Sequence, residues 1–173
     1  VGAGPVGMGC LLTAQFYSPA TMIVVDLDDN RLAMAKEMGA THTINSGTED
    51  VVARVMEITG GRGVDCAMEA VGVPATWDIC QNIVKEGGNI ANVGVHGQPV
   101  SFALEKLWIK NLTITTGLVN ANTTGMLLKS CECSKLPMDK LATHHFKFDE
   151  IEQAYDVFKH AAETKAMKVV IEY

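Results

Sequence analysis

Val1-Gly2-Ala3-Gly4-Pro5-Val6-Gly7 opens the chain and decides how the rest is read. The run fits the pattern G-x-G-x-x-G, in which each glycine has its own reason. Gly2 permits a tight turn from strand to helix. Gly4 lets a pyrophosphate approach the backbone, and Gly7 lets the helix pack closely on its strand. Pro5 falls in the first helical turn, where its missing N–H costs little. Free N–H groups and the positive end of the helix dipole would then face the phosphates. Such a motif needs a strand in front of it. Val1 is almost all that stands there, so the chain is read as a piece of a longer protein.

Context gives the motif its weight. A helix of about three turns should follow, with Val6, Cys10 and Ala14 on one face. A β-branched run over residues 21–26 comes next and ends in Asp26, nineteen residues after Gly7. An acid at the end of the second strand accepts hydrogen bonds from the adenosine ribose and repels a 2′-phosphate. Asp26 is therefore expected to select NAD over NADP. Arg31 either stacks on the adenine, pairs with the ribose edge, or simply begins a surface helix.

Two periods alternate further along the chain. Helical spacing is expected over residues 30–38, over the segment holding Val51, Val55 and Ile58, and over 75–85, with Cys80, Ile83 and Val84 inward. Short strands are expected at 41–45, 63–70, 89–94 and 112–116. Gly39, Gly60-Gly61 and Gly87-Gly88 read as helix stops. Strands alternating with helices in this way give βαβ units and a doubly wound parallel α/β sheet, the dinucleotide-binding (Rossmann) pattern. The rhythm changes after Gly117. A helix is expected over 126–133, then residues 141–147. A capping box over 149–152 should start a helix carrying Ile151, Ala154, Tyr155, Phe158 and Ala162. A terminal strand closes the chain at 168–173. A boundary near residue 118 gives a cofactor domain at 1–118 and a second segment at 119–173.

Composition narrows the function. A net charge of −6 argues against a basic surface for nucleic acid or anionic membranes. No apolar run approaches the ~20 residues that cross a bilayer, and no signal peptide is visible. The five cysteines are odd in number and scattered, which disfavours a disulfide framework and makes the cytoplasm the default. Cys10, Cys66 and Cys80 read as small core residues. Cys131 and Cys133 lack a second pair with which to build a zinc site. His96 either approaches the ligand edge or faces solvent, and His144 and His145 read as structural.

The runs GAGPVG, VVDLDDNRLAMAKEMGAT, GGRGVD and EAVG, followed in order by VGVHG, LTITTG, LATHHFKFDEIEQAYDVF and KVVIEY, resemble the zinc-dependent medium-chain alcohol dehydrogenases. The resemblance covers the whole chain. It implies that this is the NAD-binding half of a longer enzyme and that residues 119–173 return to its catalytic domain. It also implies that the Cys, His or acidic ligands of the catalytic zinc and the four-Cys structural lobe lie before the glycine motif. By position it assigns Gly2, Gly4, Pro5, Val6 and Gly7 to the pyrophosphate and Asp26 and Arg31 to the adenosine. Val71 would border the riboses. Val93, Gly94 and Val95 would lie beside the nicotinamide, and Thr116, Gly117 and Leu118 would hold its carboxamide. Lys168 would reach the pyrophosphate. No residue here would be catalytic or a metal ligand.

In the whole enzyme the implied reaction is hydride transfer between a small primary or secondary alcohol and NAD, giving an aldehyde or ketone, with zinc acting as Lewis acid. Pairing of the 112–116 edge would make a homodimer or homotetramer. The rivals are a polyol or threonine dehydrogenase of the same family, a zinc-free quinone reductase relative, which Asp26 disfavours, and a non-catalytic NAD(H)-sensing module.

Overall fold

The structure, a computed structural model, describes residues 1–118, 120–133 and 136–173. It divides into two compact units, residues 1–119 and 120–173. The expected boundary after Leu118 abuts Val119, which lies outside the described residues.

In the first unit, helix α1 (Pro5–Ala14) follows the glycine run. Next come β1 (Ile23–Asp26), α2 (Asp29–Glu37), β2 (His42–Asn45), α3 (Val51–Ile58), β3 (Val64–Glu69), α4 (Pro74–Ile83), β4 (Val84–Asn92), the short α5 (Leu104–Leu107) and β5 (Thr113–Thr116). All strand pairs are parallel: β1 with β2, β3 with β4, and β4 with β5. The helix starts follow local chemistry. Asp28 accepts hydrogen bonds from the N–H groups of Asn30 and Arg31, and Asp50 accepts from Ala53, each satisfying donors that a helix N-terminus leaves free.

Val1 and Gly2 join the two ladders. The Val1 amino group donates to Met68 O at 2.7 Å, and Ala70 N donates to Val1 O at 2.9 Å. Gly2 N donates to Val25 O at 2.8 Å. The spatial order is therefore β2–β1–(Val1, Gly2)–β3–β4–β5, a parallel α/β sheet with the glycine turn at its centre. Below this two-residue rung β1 and β3 face each other across a cavity of about 480 Å³. Cys10, Ala14 and Cys66 line it.

That gap corrects two expectations. The buried face of α1 is Met8, Leu11 and Leu12, whereas Val6 is half exposed and Cys10 and Ala14 are only partly covered. Cys66 is exposed rather than core, because the edge of β3 that carries it faces the gap. Cys80 is buried as expected, in a cluster with Val25, Ile44, Val55, Trp77, Ile83, Val84 and Ile90. A third difference lies at β4. It begins at Val84, which already pairs with Val64, and Gly87-Gly88 lie in an irregular stretch of that strand instead of ending α4.

The second unit holds α6 (Thr124–Glu132), β6 (Ala142–Lys147), α7 (Ile151–Lys159), α8 (Ala161–Thr164) and β7 (Lys168–Glu172). β6 and β7 pair in parallel, with α7 and α8 between them in sequence. The Glu150 carboxylate accepts from Lys147 N at 2.9 Å, so the capping contact lies before the 149–152 box expected. Ala154 is buried, while Tyr155 and Phe158 are exposed. Among the described residues no helix is long and apolar enough to cross a membrane.

Candidate functional site

Because every strand of the first unit's sheet runs in one direction, the strand ends converge on one edge. The glycine turn lies there, with Asp26 after β1, Val71 after β3, Val93–Val95 after β4 and Thr116–Leu118 after β5. Ligands of open α/β sheets bind outside these carboxyl ends, where the strand order reverses.

The three motif glycines meet different surroundings. Gly2 has φ +97°, a backbone that L side chains rarely adopt, and a Cβ there would lie 2.5 Å from Val71 Cγ2. A Cβ on Gly7 would lie 1.8 Å from Gly2 O, so α1 sits directly on the turn. A Cβ on Gly4 would meet nothing within 4 Å. The fold demands glycine at positions 2 and 7, and leaves open space at position 4. Gly4 is also the N-cap of α1, with Pro5 following and no side chain capping the helix. The orphan N–H groups and the helix dipole are free for an anion.

Asp26 does more than end β1. Its Oδ2 accepts from Ala3 N at 2.6 Å, and its Oδ1 accepts from Leu27 N at 2.8 Å and Asp28 N at 2.9 Å. The carboxylate thus ties the glycine turn to the start of α2. Arg31 is partly covered in the first turns of α2, and its Nε is buried with no hydrogen-bond partner among the described residues. An unmatched buried donor is uncommon and fits a group that completes its bonding with a ligand.

Val71 and Val93 are half exposed, Val95 and Leu118 almost fully so, and Thr116 and Gly117 exposed. Val6 is half exposed on the outer side of α1. Lys168 opens β7 and is exposed in the second unit.

Beneath this edge the structure shows a residue that sequence reasoning missed. Glu69, the last residue of β3, has no exposed surface. Its Oε1 accepts from Val71 N and Gly72 N, both at 2.9 Å, and from Thr76 Oγ1 at 2.6 Å. Burial pushes the Glu69 carboxyl up, but these bonds and the neighbouring His96 outweigh it, and the group titrates below the ordinary glutamate value. The only signal in the sequence is an acid closing an apolar strand three residues before a glycine.

His96 turns inward toward this carboxylate and does not face solvent. Its Nε2 lies 2.8 Å from Asn92 Oδ1 and 3.3 Å from Glu69 Oε2, and its ring meets Trp77 edge-on. His145 pairs with Glu172 across β6 and β7, and His144 contacts Thr143. Among the described residues no cluster of three or more His, Cys, Asp or Glu side chains could hold a metal ion. The residues present therefore do not fit a zinc centre, whereas the turn, Gly4 and Arg31 fit a dinucleotide.

The site thus belongs to the class of parallel α/β folds whose glycine turn lies at the carboxyl edge. Residues 5–130 match the zinc-binding dehydrogenase family, and the chain belongs to that family. It is 33% identical over 159 residues to an alcohol dehydrogenase of Cupriavidus necator, covering 90% of this chain and 43% of that protein. It is also 33% identical over 162 residues to an L-threonine 3-dehydrogenase of Pyrococcus abyssi, covering 91% and 47%. Among solved structures, zinc-dependent alcohol dehydrogenase 2 from Streptococcus pneumonia matches with a TM-score of 0.95 and 57% identity, over 99% of this chain and 50% of that one. The chain spans about half the length of these relatives.

Proposed function

We propose that this chain is the NAD-binding half of a zinc-dependent alcohol dehydrogenase, with residues 1–118 as the cofactor domain and 119–173 as the end of the catalytic domain. The observation that carries the reading is the glycine turn at the carboxyl edge. It is open above Gly4, closed at Gly2 and Gly7, and bonded through Ala3 to the Asp26 carboxylate. The N–H groups of the Gly4–Gly7 turn hold the pyrophosphate, helped by the dipole of α1. Asp26 keeps one lone pair, on Oδ2, for a ribose hydroxyl beyond its three backbone bonds, and its charge excludes a 2′-phosphate. Arg31, whose Nε is buried without a partner among the described residues, would serve the adenosine end. Val71, Val93, Gly94 and Val95 form the apolar side against the nicotinamide, and the main chain of Thr116, Gly117 and Leu118 bonds its carboxamide.

NAD supplies the hydride acceptor when bound. This chain's residues bind the cofactor, orient it and keep water from one face of its ring. The alcohol and its zinc belong to the other half of the enzyme. Similarity at equal identity to the C. necator and P. abyssi proteins makes a simple alcohol and a threonine-type amino alcohol the two substrate readings. β5 is an exposed edge with Ile114 partly open, which supports pairing of two copies through this strand. The five free thiols suit a reducing cytoplasm.

Fluorescence titration with NADH tests the reading. Saturable binding with a blue-shifted emission is expected, with no turnover of ethanol or 2-propanol even with added zinc. Absence of binding at millimolar NADH would refute it, as would NADH production by the purified chain. A strict monomer in light scattering at high concentration would remove the β5 pairing.

A further inference from the structure

Glu69 is bonded to both loops that flank the expected nicotinamide position. Its side chain takes the N–H groups of Val71 and Gly72 from the turn after β3. Its main-chain carbonyl takes the N–H groups of Val93, at 2.8 Å, and Gly94, at 3.0 Å, from the loop after β4. Thr76 Oγ1, in the first turn of α4, donates to the same carboxylate. The second oxygen, Oε2, accepts from Gly72 N at 3.1 Å and faces His96 Nε2. That nitrogen sees two acceptors, Glu69 Oε2 and Asn92 Oδ1, so it carries the proton. Asn92 Nδ2 in turn donates to Gly94 O at 3.0 Å, closing the network on the second loop.

The two loops also interlock by contact. A Cβ on Gly94 would lie 2.2 Å from Glu69 Oε2, and one on Gly72 would lie 2.2 Å from Val95 O. The backbone therefore packs around the carboxylate and against the opposite loop with no space left. A buried charge is tolerated only where donors surround it, and here the donors come from both loops and from α4. An apolar side chain of similar size would fill the volume, but it would leave the amides of Val71 and Gly72 without acceptors.

We propose that Glu69 is a positioning residue for the nicotinamide half of the dinucleotide: it locks the 70–73 turn and the 93–96 loop together before the cofactor arrives. The role rests on the cofactor reading above. Val71 and Val93–Val95 then meet the ring as one preformed surface, and ordering them costs nothing at the moment of binding.

Backbone hydrogen exchange of the ligand-free chain, compared with Glu69→Gln, tests the lock without any cofactor. The amide that replaces one carboxylate oxygen cannot accept, so either Val71 N and Thr76 Oγ1, which are bonded to Oε1, or His96 Nε2, which faces Oε2, loses its bond to residue 69, and Gly72 N keeps only one of its two acceptors. Exchange at Val71 and Gly72 should rise about tenfold, with Ala67 and Ile90 in the β3–β4 ladder unchanged. Unchanged loop amides would overturn the lock. Equal acceleration in the ladder would show general destabilisation and overturn it as well.

Titration with NADH and with ADP-ribose then tests positioning. Glu69→Gln should weaken NADH about tenfold and leave ADP-ribose binding as it was, and equal losses would overturn the role. Thr76→Val, which keeps the carboxylate and removes one donor, should show the same pattern at smaller amplitude even if Glu69→Gln folds poorly. Wild-type chain that binds both ligands equally tightly would overturn the nicotinamide reading itself, whatever the exchange data show for the lock.

Discussion

Replacing Gly4 and Gly7 separately by alanine divides ligand space from fold space within one motif. At Gly4 the backbone has φ −72° and ψ −176°, which alanine adopts freely, and no heavy atom lies within 4 Å of the added methyl. A glycine replaced without strain loses unfolded-state entropy, so Gly4→Ala should be neutral or stabilising by about 0.4–1 kcal/mol. For a chain of this size that moves Tm upward by roughly 1–4 °C. At Gly7 the methyl would stand 1.8 Å from Gly2 O and 2.8 Å from Gly2 C. Gly2 cannot yield, because its N–H is bonded to Val25 O and its φ is already +97°. The top of the overpacking range, about 3 kcal/mol, is the fair expectation, a fall in Tm of roughly 6–12 °C. Binding should reverse the order. In Gly4→Ala the methyl would take the space proposed for the pyrophosphate and disrupt at least one charge-assisted bond, about 1.5–3 kcal/mol, or tenfold and more in the NADH Kd. Thermal melts by circular dichroism and NADH fluorescence measure both. A Gly4→Ala variant that melts as low as Gly7→Ala, or binds NADH as the wild type does, would refute the reasoning.

Asp26→Asn should weaken NAD about tenfold or more while leaving NADP unchanged or improved, read as the ratio of the two dissociation constants. The ratio is the proper measure because Asp26 also holds Ala3 N, so absolute affinities mix turn geometry with recognition. Equal losses would remove Asp26 from cofactor choice. The carboxyl of Glu69 titrates below its ordinary value of 4.5 in the folded chain. Its contribution to stability is therefore fully present above that value and lost as pH falls through the lower, folded one. Urea melts from about pH 6 down to 3 should show a steeper acid limb in wild type than in Glu69→Gln, and parallel limbs would contradict this. Burial pushes the Cys80 thiol up to about 11, so at pH 8 iodoacetamide should label exposed Cys133 well before Cys80, whose modification should track unfolding.

The parts of the fold that depend on local chemistry were legible in the sequence. The glycine run, the strand ending in Asp26 and the helical stretches at 30–38 and around Val51, Val55 and Ile58 follow from turn and period alone, whereas the caps that start them, Asp28 and Asp50, emerge only in the structure. Features set by distant partners were not. The early start of β4 depends on Val84 meeting Val64, and nothing near Val84 announces that pairing. The α1 sequence PVGMGCLLTA is apolar nearly all round, so its period cannot say which side is buried. Packing chose Met8, Leu11 and Leu12, and the open gap uncovered Cys10 and Ala14. Glu69 illustrates the same limit within the site. Read along the chain it is an acid before a turn, and only the folded backbone turns four donor groups onto it.

The glycine turn also occupies a mechanical position. Among the described residues, β1–β2 and β3–β4–β5 are joined by strand-type hydrogen bonds only through Val1 and Gly2. The residues expected at the adenosine, Asp26 and Arg31, stand on the first half, and those expected at the nicotinamide, Val71 and Val93–Val95, stand on the second. A dinucleotide bound across the turn would therefore bridge the two halves at their narrowest connection. If the proposed dinucleotide binds there, energy gained at both ends resists separation of the halves, and NADH should raise the melting temperature of the chain. The Ala3–Asp26 bond and the Glu69 network are the counterparts of that bridge within the protein. One fixes the turn to the adenosine side, and the other fixes the loops on the nicotinamide side.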